Sequence, residues 1–412
     1  MNEIPQSSAA VSAAGAPMAS DFISLVTVMS EMAAGHEVDS FLKQAGLGLD
    51  MAGLLMGMAV MSLLMGDGAT YARLQASALR RQQYYRLRRG PAPPAMRLLA
   101  LMGPGDLSDN TPLEFMLEGS DVELTLLYLA PDLPLPARLP EHDACMVAIA
   151  PAEGEQPLLA AAAGLLRGTD KPVFNRPERI ALLLRDRVSE TLQGIAGLAV
   201  PRVARVARAL LDEIAAGRRG LADMLGAGDF PVIVRPLVSH TGQGLARIAD
   251  RAELLDYLAT RSEPDFFVAP FIDYAGADGQ YRKYRIALIG GRPQLCHMAI
   301  SSHWMVHYVN AGMADSAAKR AEEAAAMAGF DSDFAPRHAG VWRAMTARLG
   351  LDYAVMDCAE LADGNLLLFE LDNVCIVHAM DNPAVYPYKR PHMAGVFAAF
   401  RAMLAEPPIA AA

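Results

Sequence analysis

Two carboxylates stand two residues apart near the C-terminal end of the chain, in the segment LLLFELDNVCIVH at residues 366–378. If this segment is a strand, Glu370 and Asp372 project from the same face, because side chains alternate between the two faces of a strand. Two unpaired negative charges in an apolar segment repel each other and are costly to bury. A bound divalent cation would offset that cost, and hard oxygen ligands suit Mg²⁺.

A third acidic residue precedes this pair in the segment YAVMDCAELADGNLLLFEL. The dipeptide Asp363-Gly364 predicts a tight turn between two antiparallel strands, which brings Asp357 close to Glu370. The sequence therefore predicts a metal site formed by Asp357, Glu370 and Asp372. In the alternative interpretation, these acids are exposed or paired with arginines.

A basic strand followed by a glycine loop is a candidate phosphate site. In PVIVRPLVSHTGQGL, an apolar strand carries Arg235 and leads into a loop with Thr241, Gly242 and Gly244. Glycines let backbone N–H groups point at a phosphate chain, and the arginine neutralises its charge. The loop is not a Walker A motif, since it lacks G-K-[ST]. An ordinary surface loop is the alternative.

The segment FFVAPFID at residues 266–273 is a candidate purine site. The carbonyl group of Pro270 can accept a hydrogen bond from an exocyclic amino group, and the N–H of Ile272 can donate one to the ring. Taken alone, the segment is equally compatible with an ordinary buried strand.

Histidines follow in CHMAISSHWMVHYVN, where His303 and His307 are four residues apart and would share one face of a helix. No acidic residue lies between them as in an H-E-x-x-H zinc site, so we expect them to line a substrate cleft or to pack in the ordinary way. His378 and Asp381, just past the acidic strand, are similar candidates for substrate recognition.

Composition restricts the class of protein. The chain has 412 residues, 53% of them hydrophobic and 20% charged, which predicts a globular protein of two or three domains. The net charge of −10 argues against nucleic-acid binding. The four cysteines form no C-x-x-C pair, which favours a cytoplasmic protein with reduced thiols. The apolar stretch at residues 51–66 is short for a membrane span, so we expect a core helix rather than a membrane or interfacial one.

The sequence pattern divides the chain into parts, and the linker GPAPPA separates a helical region from a segment in which strands alternate with helices. Alternation of this kind predicts a small α/β layer with a largely parallel sheet. The predicted parts are a flexible tail at 1–19, a helical region at 20–92, an α/β domain at 93–175 and an α+β domain at 176–405.

The order of these motifs resembles the ATP-grasp superfamily, which includes glutathione synthetase and D-alanine–D-alanine ligase. The resemblance covers about residues 172–385 and rests on NRPERIALLLRDR, GIAGLAVP, the basic strand with its glycine loop, YRKYRI and FELDN. It implies an α+β ATP-grasp fold that grips a nucleotide between two subdomains, with a lid at about 200–270. The combination of NRPERIALLLRDR, YRKYRI and FELDN also resembles uncharacterised ATP-grasp proteins that carry an N-terminal tetratricopeptide-like helical region.

The resemblance also implies roles for individual residues. Arg187 and Arg235 match the two phosphate-contacting cations, and Arg285 matches the arginine that contacts the transferring phosphoryl group. The remaining matched positions are the glycine loop at Thr241, Gly242 and Gly244, the adenine hinge at Pro270 and Ile272, a ribose contact at Asp273, and the metal ligands Asp357 and Glu370. Asp372 stands where the family usually has asparagine, so either Asp372 or Asn373 is the third ligand, and we favour Asp372 because it shares the face of Glu370.

The function implied by the resemblance is ATP- and Mg²⁺-dependent ligation of a carboxylate to an amine or thiol, with small-molecule or peptide substrates. A substrate carboxylate attacks the γ-phosphorus to give an acylphosphate, and ADP and phosphate are released. An ATP-grasp phosphotransferase and a non-catalytic nucleotide-binding scaffold are the alternatives. We expect no membrane partner, and a homodimer is one expected assembly.

Overall fold

The computed structural model describes residues 19–33, 48–87, 93–226, 228–237 and 242–409. Contacts divide the chain into two compact units, the first comprising residues 1–149 and 157–173 and the second comprising 150–156 and 174–412. Thr241 and most of the predicted N-terminal tail lie outside the described residues.

The first unit is built around a six-stranded sheet with the strand order β1-β2-β4-β3-β5-β6. Strand β3 is parallel to both β4 and β5, as the alternation of strands and helices predicts. Strands β3 and β5 are almost wholly apolar and buried, which is typical of a parallel sheet covered on both faces. The strands are β1 Ser20–Phe22, β2 Tyr84–Leu87, β3 Met96–Met102, β4 Val122–Tyr128, β5 Ala144–Val147 and β6 Val173–Phe174. The described helices along this part of the chain are α1 Leu25–Ala33, α2 Met51–Leu64, α3 Gly68–Leu79, α4 Leu113–Met116 and α5 Gln156–Leu165.

The N-terminal region differs from the helical region expected at 20–92, because it also supplies strands β1 and β2 to this sheet. Helix α3 ends at Leu79, and the following Tyr84 and Tyr85 belong to a strand that runs antiparallel to β4. Both tyrosines are buried. Aromatic side chains favour strands when they can pack against a neighbouring strand, and that packing outweighs the helical spacing of the sequence.

Helix α2 corresponds to the apolar stretch at 51–66 and buries only one face. Its buried face consists mostly of small residues, together with Met56 and Val60, and a Cβ at Gly53 would lie 2.0 Å from the carbonyl oxygen of Asp21. Other large side chains point outward, since Met51, Met58 and Met65 each keep at least half of their surface exposed. Among the described residues, no helix is both long enough and apolar enough to span a lipid bilayer.

The second unit contains two sheets. A four-stranded antiparallel sheet, ordered β10-β9-β11-β8, has its own apolar core, in which Leu211 and Leu254 pack against Phe266. Its strands are β8 Ala204–Ala207, β9 Val232–Pro236, β10 Ala246–Ile248 and β11 Asp265–Pro270. The described helices of the second unit are α6 Pro177–Ile180, α7 Arg185–Leu192, α8 Arg208–Ala215, α9 Ala222–Leu225, α10 Arg251–Ala259, α11 Ala317–Gly329, α12 Ala335–Arg337, α13 Ala339–Leu349 and α14 Lys389–Met403, with a π-helical turn at Phe330–Phe334.

The other sheet of this unit has five strands in the order β13-β12-β14-β15-β7. Its strands are β7 Leu198–Ala199, β12 Tyr281–Ile289, β13 Arg292–Ser301, β14 Tyr353–Glu360 and β15 Leu366–Asp372. Both predicted hairpins are present. Gly290 and Gly291 join β12 to β13 with φ angles of 56° and 75°, values that favour glycine. The three sheets and their covering helices confirm the predicted α+β class.

Candidate active site

Ionisable side chains lie in a line across the middle of the five-stranded sheet. In the strand register, Arg285 on β12 stands opposite His297 on β13 and opposite Asp357 on β14. Asp357 in turn stands opposite Glu370 on β15. Directly opposed residues share a face of a sheet, so four adjacent strands contribute one residue each to what we call the polar row. The two hairpins of the sequence thus position the site.

Asp357 is the most enclosed member of the polar row, with 3% of its surface exposed. Its Oδ1 accepts a hydrogen bond from Arg285 Nε at 2.8 Å, and its Oδ2 accepts from Arg285 Nη2 at 3.0 Å and from Lys283 Nζ at 2.8 Å. Burial alone would raise the pKa of Asp357, but Arg285 and Lys283 hold that pKa well below its usual range. Asp357 is therefore a carboxylate shared by two cations.

Glu370 lies among arginines from two other elements. Arg185 on α7 places Nη2 2.5 Å from Glu370 Oε1, and the Glu370 side chain keeps 37% of its surface exposed. Burial raises the pKa of Glu370, but Arg185 and Arg235 outweigh it, so the pKa is lowered overall. Burial and the nearby charge of Arg185 lower the pKa of Arg235 to about 10. Arg235 on β9 and Glu370 on β15 therefore share one electrostatic environment.

Asp372 differs from its two acidic neighbours. Burial and the charge of Glu370 raise the pKa of Asp372 to about 7, and one of its oxygens accepts a hydrogen bond from the N–H of Val374 at 3.0 Å. The carboxylates of Glu370 and Asp372 therefore repel each other, because the nearby positive charge does not neutralise both. Oxygen donors in this state fit a hard divalent cation, which would relieve the repulsion between Glu370 and Asp372.

The carboxylates do not form a ready-made metal site, since no cluster of three His, Cys, Asp or Glu side chains suited to a metal occurs in the part of the chain that the structure describes. Both oxygens of Asp357 accept hydrogen bonds from Lys283 or Arg285. The assignment of Asp357, Glu370 and Asp372 as metal ligands stays a prediction. Asn373, the alternative ligand, is fully buried next to Asp372.

Arg185 is a site residue that the sequence analysis missed. The matched position was Arg187, which lies exposed on the same helix, two residues further along the chain. Residues two apart on a helix point in different directions, so only Arg185 reaches Glu370. The sequence RDR offered both arginines, and only the orientation of α7 against β15 distinguishes them. The phosphate contact of Arg187 stays a prediction.

The glycine loop is described from Gly242 onward. Gly244 has a φ of 69°, and a Cβ there would lie 2.8 Å from the ring of Pro236. The hydroxyl of Tyr257 donates a hydrogen bond to the carbonyl oxygen of Gly244 at 2.7 Å. Only glycine suits this backbone, which turns back sharply onto the end of strand β9, next to Arg235.

The predicted adenine hinge lies at the end of β11. Pro270 is the last residue of this strand and pairs with Val232 of β9. Ile272 packs against a second apolar cluster, and Asp273 is exposed, with its carboxylate accepting a hydrogen bond from the N–H of Ala275 at 3.1 Å. The nucleotide contacts of Pro270, Ile272 and Asp273 stay predictions.

His303 lies in a bend just after β13, and His307 caps a short 3-10 turn that begins at Tyr308, so the two histidines do not share a helical face. Nδ1 of His303 accepts a hydrogen bond from the N–H of Met305 at 3.2 Å. Desolvation and the charges of Lys283 and Arg285 lower the pKa of His307. Both histidines are exposed, but His307 lies within electrostatic reach of the polar row, whereas the ring of His303 lies 5.5 Å from that of Trp304 at a tilt of 38°.

A buried network adjoins the other predicted substrate residues. Lys389, only 3% exposed, has Nζ 3.3 Å from Asp381 and 3.6 Å from Glu323. Glu323 is fully buried and accepts hydrogen bonds from the hydroxyls of Tyr308 and Tyr388. The sequence analysis missed this network, because Glu323 and Lys389 are far apart in sequence and sit in ordinary helical patterns. Nδ1 of His378 accepts from the N–H of Met380 at 3.1 Å.

Comparisons with known proteins concern the fold. No protein-family model matches the chain. A D-alanine–D-alanine ligase from Coxiella burnetii is similar at a TM-score of 0.47 and 12% identity, covering 76% of this chain and 95% of that one. A RimK domain ATP-grasp protein from Sphaerobacter thermophilus reaches 0.41 at 18% identity, covering 74% and 98%. VanG D-Ala:D-Ser ligase from Enterococcus faecalis reaches 0.43 at 12%, covering 73% and 99%.

Proposed function

We propose that this protein is an ATP- and Mg²⁺-dependent ligase that activates a carboxylate as an acylphosphate and joins it to an amine or thiol. The observation that carries the proposal is the polar row with its flanking arginines. Arg185 pairs with Glu370, the charge of Arg235 acts on the same carboxylate, and Arg285 pairs with Asp357. Alternating cations and carboxylates of this kind suit a metal-bound polyphosphate next to an anionic substrate.

The protein's own residues would bind and orient the nucleotide. Arg185 and Arg235 would supply positive charge for the phosphate chain, and the Gly244 backbone lies against Pro236, the residue after Arg235. Glu370 and Asp372 would hold Mg²⁺, with Asp357 as a third oxygen donor. When bound, Mg²⁺ neutralises phosphate charge that would otherwise repel an incoming carboxylate.

In the first chemical step, an oxygen of the substrate carboxylate forms a bond to the γ-phosphorus. The bond between that phosphorus and the bridging oxygen breaks, and its electron pair stays on ADP. Arg285 faces this exchange with a guanidinium group that is fixed by Asp357 and by the carbonyl oxygen of Ile376 at 3.1 Å. A fixed cation stabilises the charge that spreads over the transferring phosphoryl group.

In the second step, the amine or thiol attacks the acyl carbon and phosphate departs with the electrons of the carbon–oxygen bond. The attacking group gives up one proton. His307 is our candidate to accept it, because its lowered pKa keeps the imidazole neutral at pH 7. The segments after β13 and β15, which carry His307, His378 and Asp381, would form the acceptor side of the site.

The experiment is a coupled assay for ADP and phosphate with Mg²⁺-ATP and a panel of small carboxylates and peptides, each paired with amine or thiol acceptors. The expected result is release of ADP and phosphate that depends on the carboxylate. Hydroxylamine in place of the acceptor should trap the activated carboxylate as a hydroxamate. Release of AMP and pyrophosphate, or transfer of phosphate to a stable acceptor, contradicts the proposal.

A further inference from the structure

Lys283 is a second cation on a carboxylate that already has one. It stands two residues before Arg285 on β12, so both side chains project from the same face of the strand. The Lys283 side chain is 14% exposed, and its Nζ lies 2.8 Å from Asp357 Oδ2, an oxygen that Arg285 Nη2 also contacts at 3.0 Å. Two positive charges therefore meet one negative charge at this end of the polar row.

On β15, the strand that pairs with β14, negative charge is in excess instead. Glu370 and Asp372 share one face of β15, and Glu370 stands directly opposite Asp357. A divalent cation held by Glu370 would be drawn toward Asp357 as its next oxygen ligand. Lys283 already occupies Oδ2 of Asp357, and its ammonium group would repel that cation.

We propose that Lys283 is a positioning residue that holds the place of the divalent cation at Asp357 while the nucleotide site is empty. Binding of the metal–nucleotide complex then displaces the ammonium group from Oδ2. The inference rests on the proposed function, because it assigns Lys283 a role at the metal site of that reaction.

Lys283, rather than Arg285, is the cation able to leave. Arg285 holds Asp357 through Nε and Nη2, and its Nη1 donates to the carbonyl oxygen of Ile376. Lys283 holds Asp357 through one ammonium on a flexible stem, which can swing without breaking a two-point contact.

The experiment measures binding of Mn²⁺ alone to the full-length, nucleotide-free protein, using the electron paramagnetic resonance signal of free Mn²⁺. Lys283→Met should lower the Mn²⁺ dissociation constant about tenfold, because a repelling charge is removed and Oδ2 of Asp357 loses one of its two hydrogen-bond donors. The matched control is Arg282→Met. Arg282 is the adjacent residue on β12, pairs instead with Asp278 and Glu322, and loses the same charge, so its Mn²⁺ affinity should equal that of wild type.

Two further arms make the result decisive. The double variant Lys283→Met with Asp357→Asn should lose the gain in affinity, which assigns the gain to this carboxylate. Lys283→Gln repeats the test with a polar side chain should the methionine variant fold poorly. An unchanged dissociation constant in a folded Lys283 variant overturns the inference.

A separate titration of wild type with Mn²⁺ and ADP tests the proposed function itself. Nucleotide-dependent uptake of Mn²⁺ is expected. Its absence contradicts the proposed function, while a Lys283→Met effect in nucleotide-free protein would still support the role of Lys283 at Asp357.

Discussion

The six-stranded and five-stranded sheets of this protein differ in where their charged residues lie. In the six-stranded sheet, strands β3 and β5 are buried and apolar, and Arg97 at the start of β3 forms ion pairs with Glu141 and Asp143, whose side chains are 80% and 42% exposed. In the five-stranded sheet, charged groups cross the middle, and Asp357 is 3% exposed. Both sheets belong to one chain with the same overall composition, so the difference is local.

Exposed and buried ion pairs have different energetic consequences, and this difference indicates where a functional site is expected. Exposed ion pairs contribute about 0–1 kcal/mol each and constrain little. Burying an ion pair costs desolvation energy that its attraction often fails to recover, so well-packed apolar residues would stabilise the sheet at least as well. Stability alone therefore does not explain why Arg285 and Asp357 are buried in the five-stranded sheet, which makes that sheet the place to test for binding or chemistry.

The strongest test of the comparison is Asp357→Asn. This change leaves Lys283 and Arg285 buried without their counter-charge, which should cost about 3–5 kcal/mol of stability in urea denaturation at pH 7. The pKa of Asp357 is depressed in the folded protein, so its contribution is full above the unfolded pKa of about 3.9 and is lost as the pH falls further. The gap between variant and wild type should therefore stay constant from pH 7 to 5 and narrow below about pH 4.

Next in size is Glu370→Gln, which tests activity rather than stability. The side chain is part-exposed, so the variant should fold, whereas loss of its charge should lower carboxylate-dependent ADP release by about 100-fold or more. Glu123→Gln, on β4 of the first sheet, is the matched control and should release ADP at the wild-type rate. If the two variants release ADP at equal rates, the assignment of Glu370 to the active site is wrong.

Asp372→Asn should change the free energy of unfolding by less than Asp357→Asn does, and it should stabilise the protein rather than destabilise it. Because the folded pKa of Asp372 is raised to about 7, its ionised form is disfavoured, and the resulting penalty grows from pH 4 to pH 7 and is full above it. In metal-free buffer containing EDTA, the variant should be about 1–3 kcal/mol more stable than wild type at pH 8. At pH 4 the two proteins should unfold at the same urea concentration. A variant that is less stable at pH 8 would show that Asp372 is not repelled by Glu370.

The smallest effect is expected for Asp143→Asn in the first sheet. Asp143 and Arg97 are paired on the surface, so the loss should be at most about 1 kcal/mol and should shrink in high salt. A loss as large as that of Asp357→Asn would mean that the two sheets do not differ in the way described here.

Much of the site's local framework could be predicted from the sequence. The turns at Asp363-Gly364 and Gly290-Gly291, the α+β class and the common face of Glu370 and Asp372 follow from glycine conformation and from the two-residue period of strands. These features depend on residues that are close together in the sequence, so they can be predicted without the tertiary structure.

Only the tertiary structure decided which cations serve these carboxylates. It paired Arg185 on α7 with Glu370, a contact that the motif with Arg187 did not indicate, and it placed Lys283 on Asp357 although no motif marks it. It also placed Tyr84 and Tyr85 in a strand of the six-stranded sheet, although the sequence pattern around them is helical. The physical reason is common to all three: side-chain direction and cross-strand register depend on packing between segments distant in sequence, whereas turn chemistry and strand period are settled within a few residues.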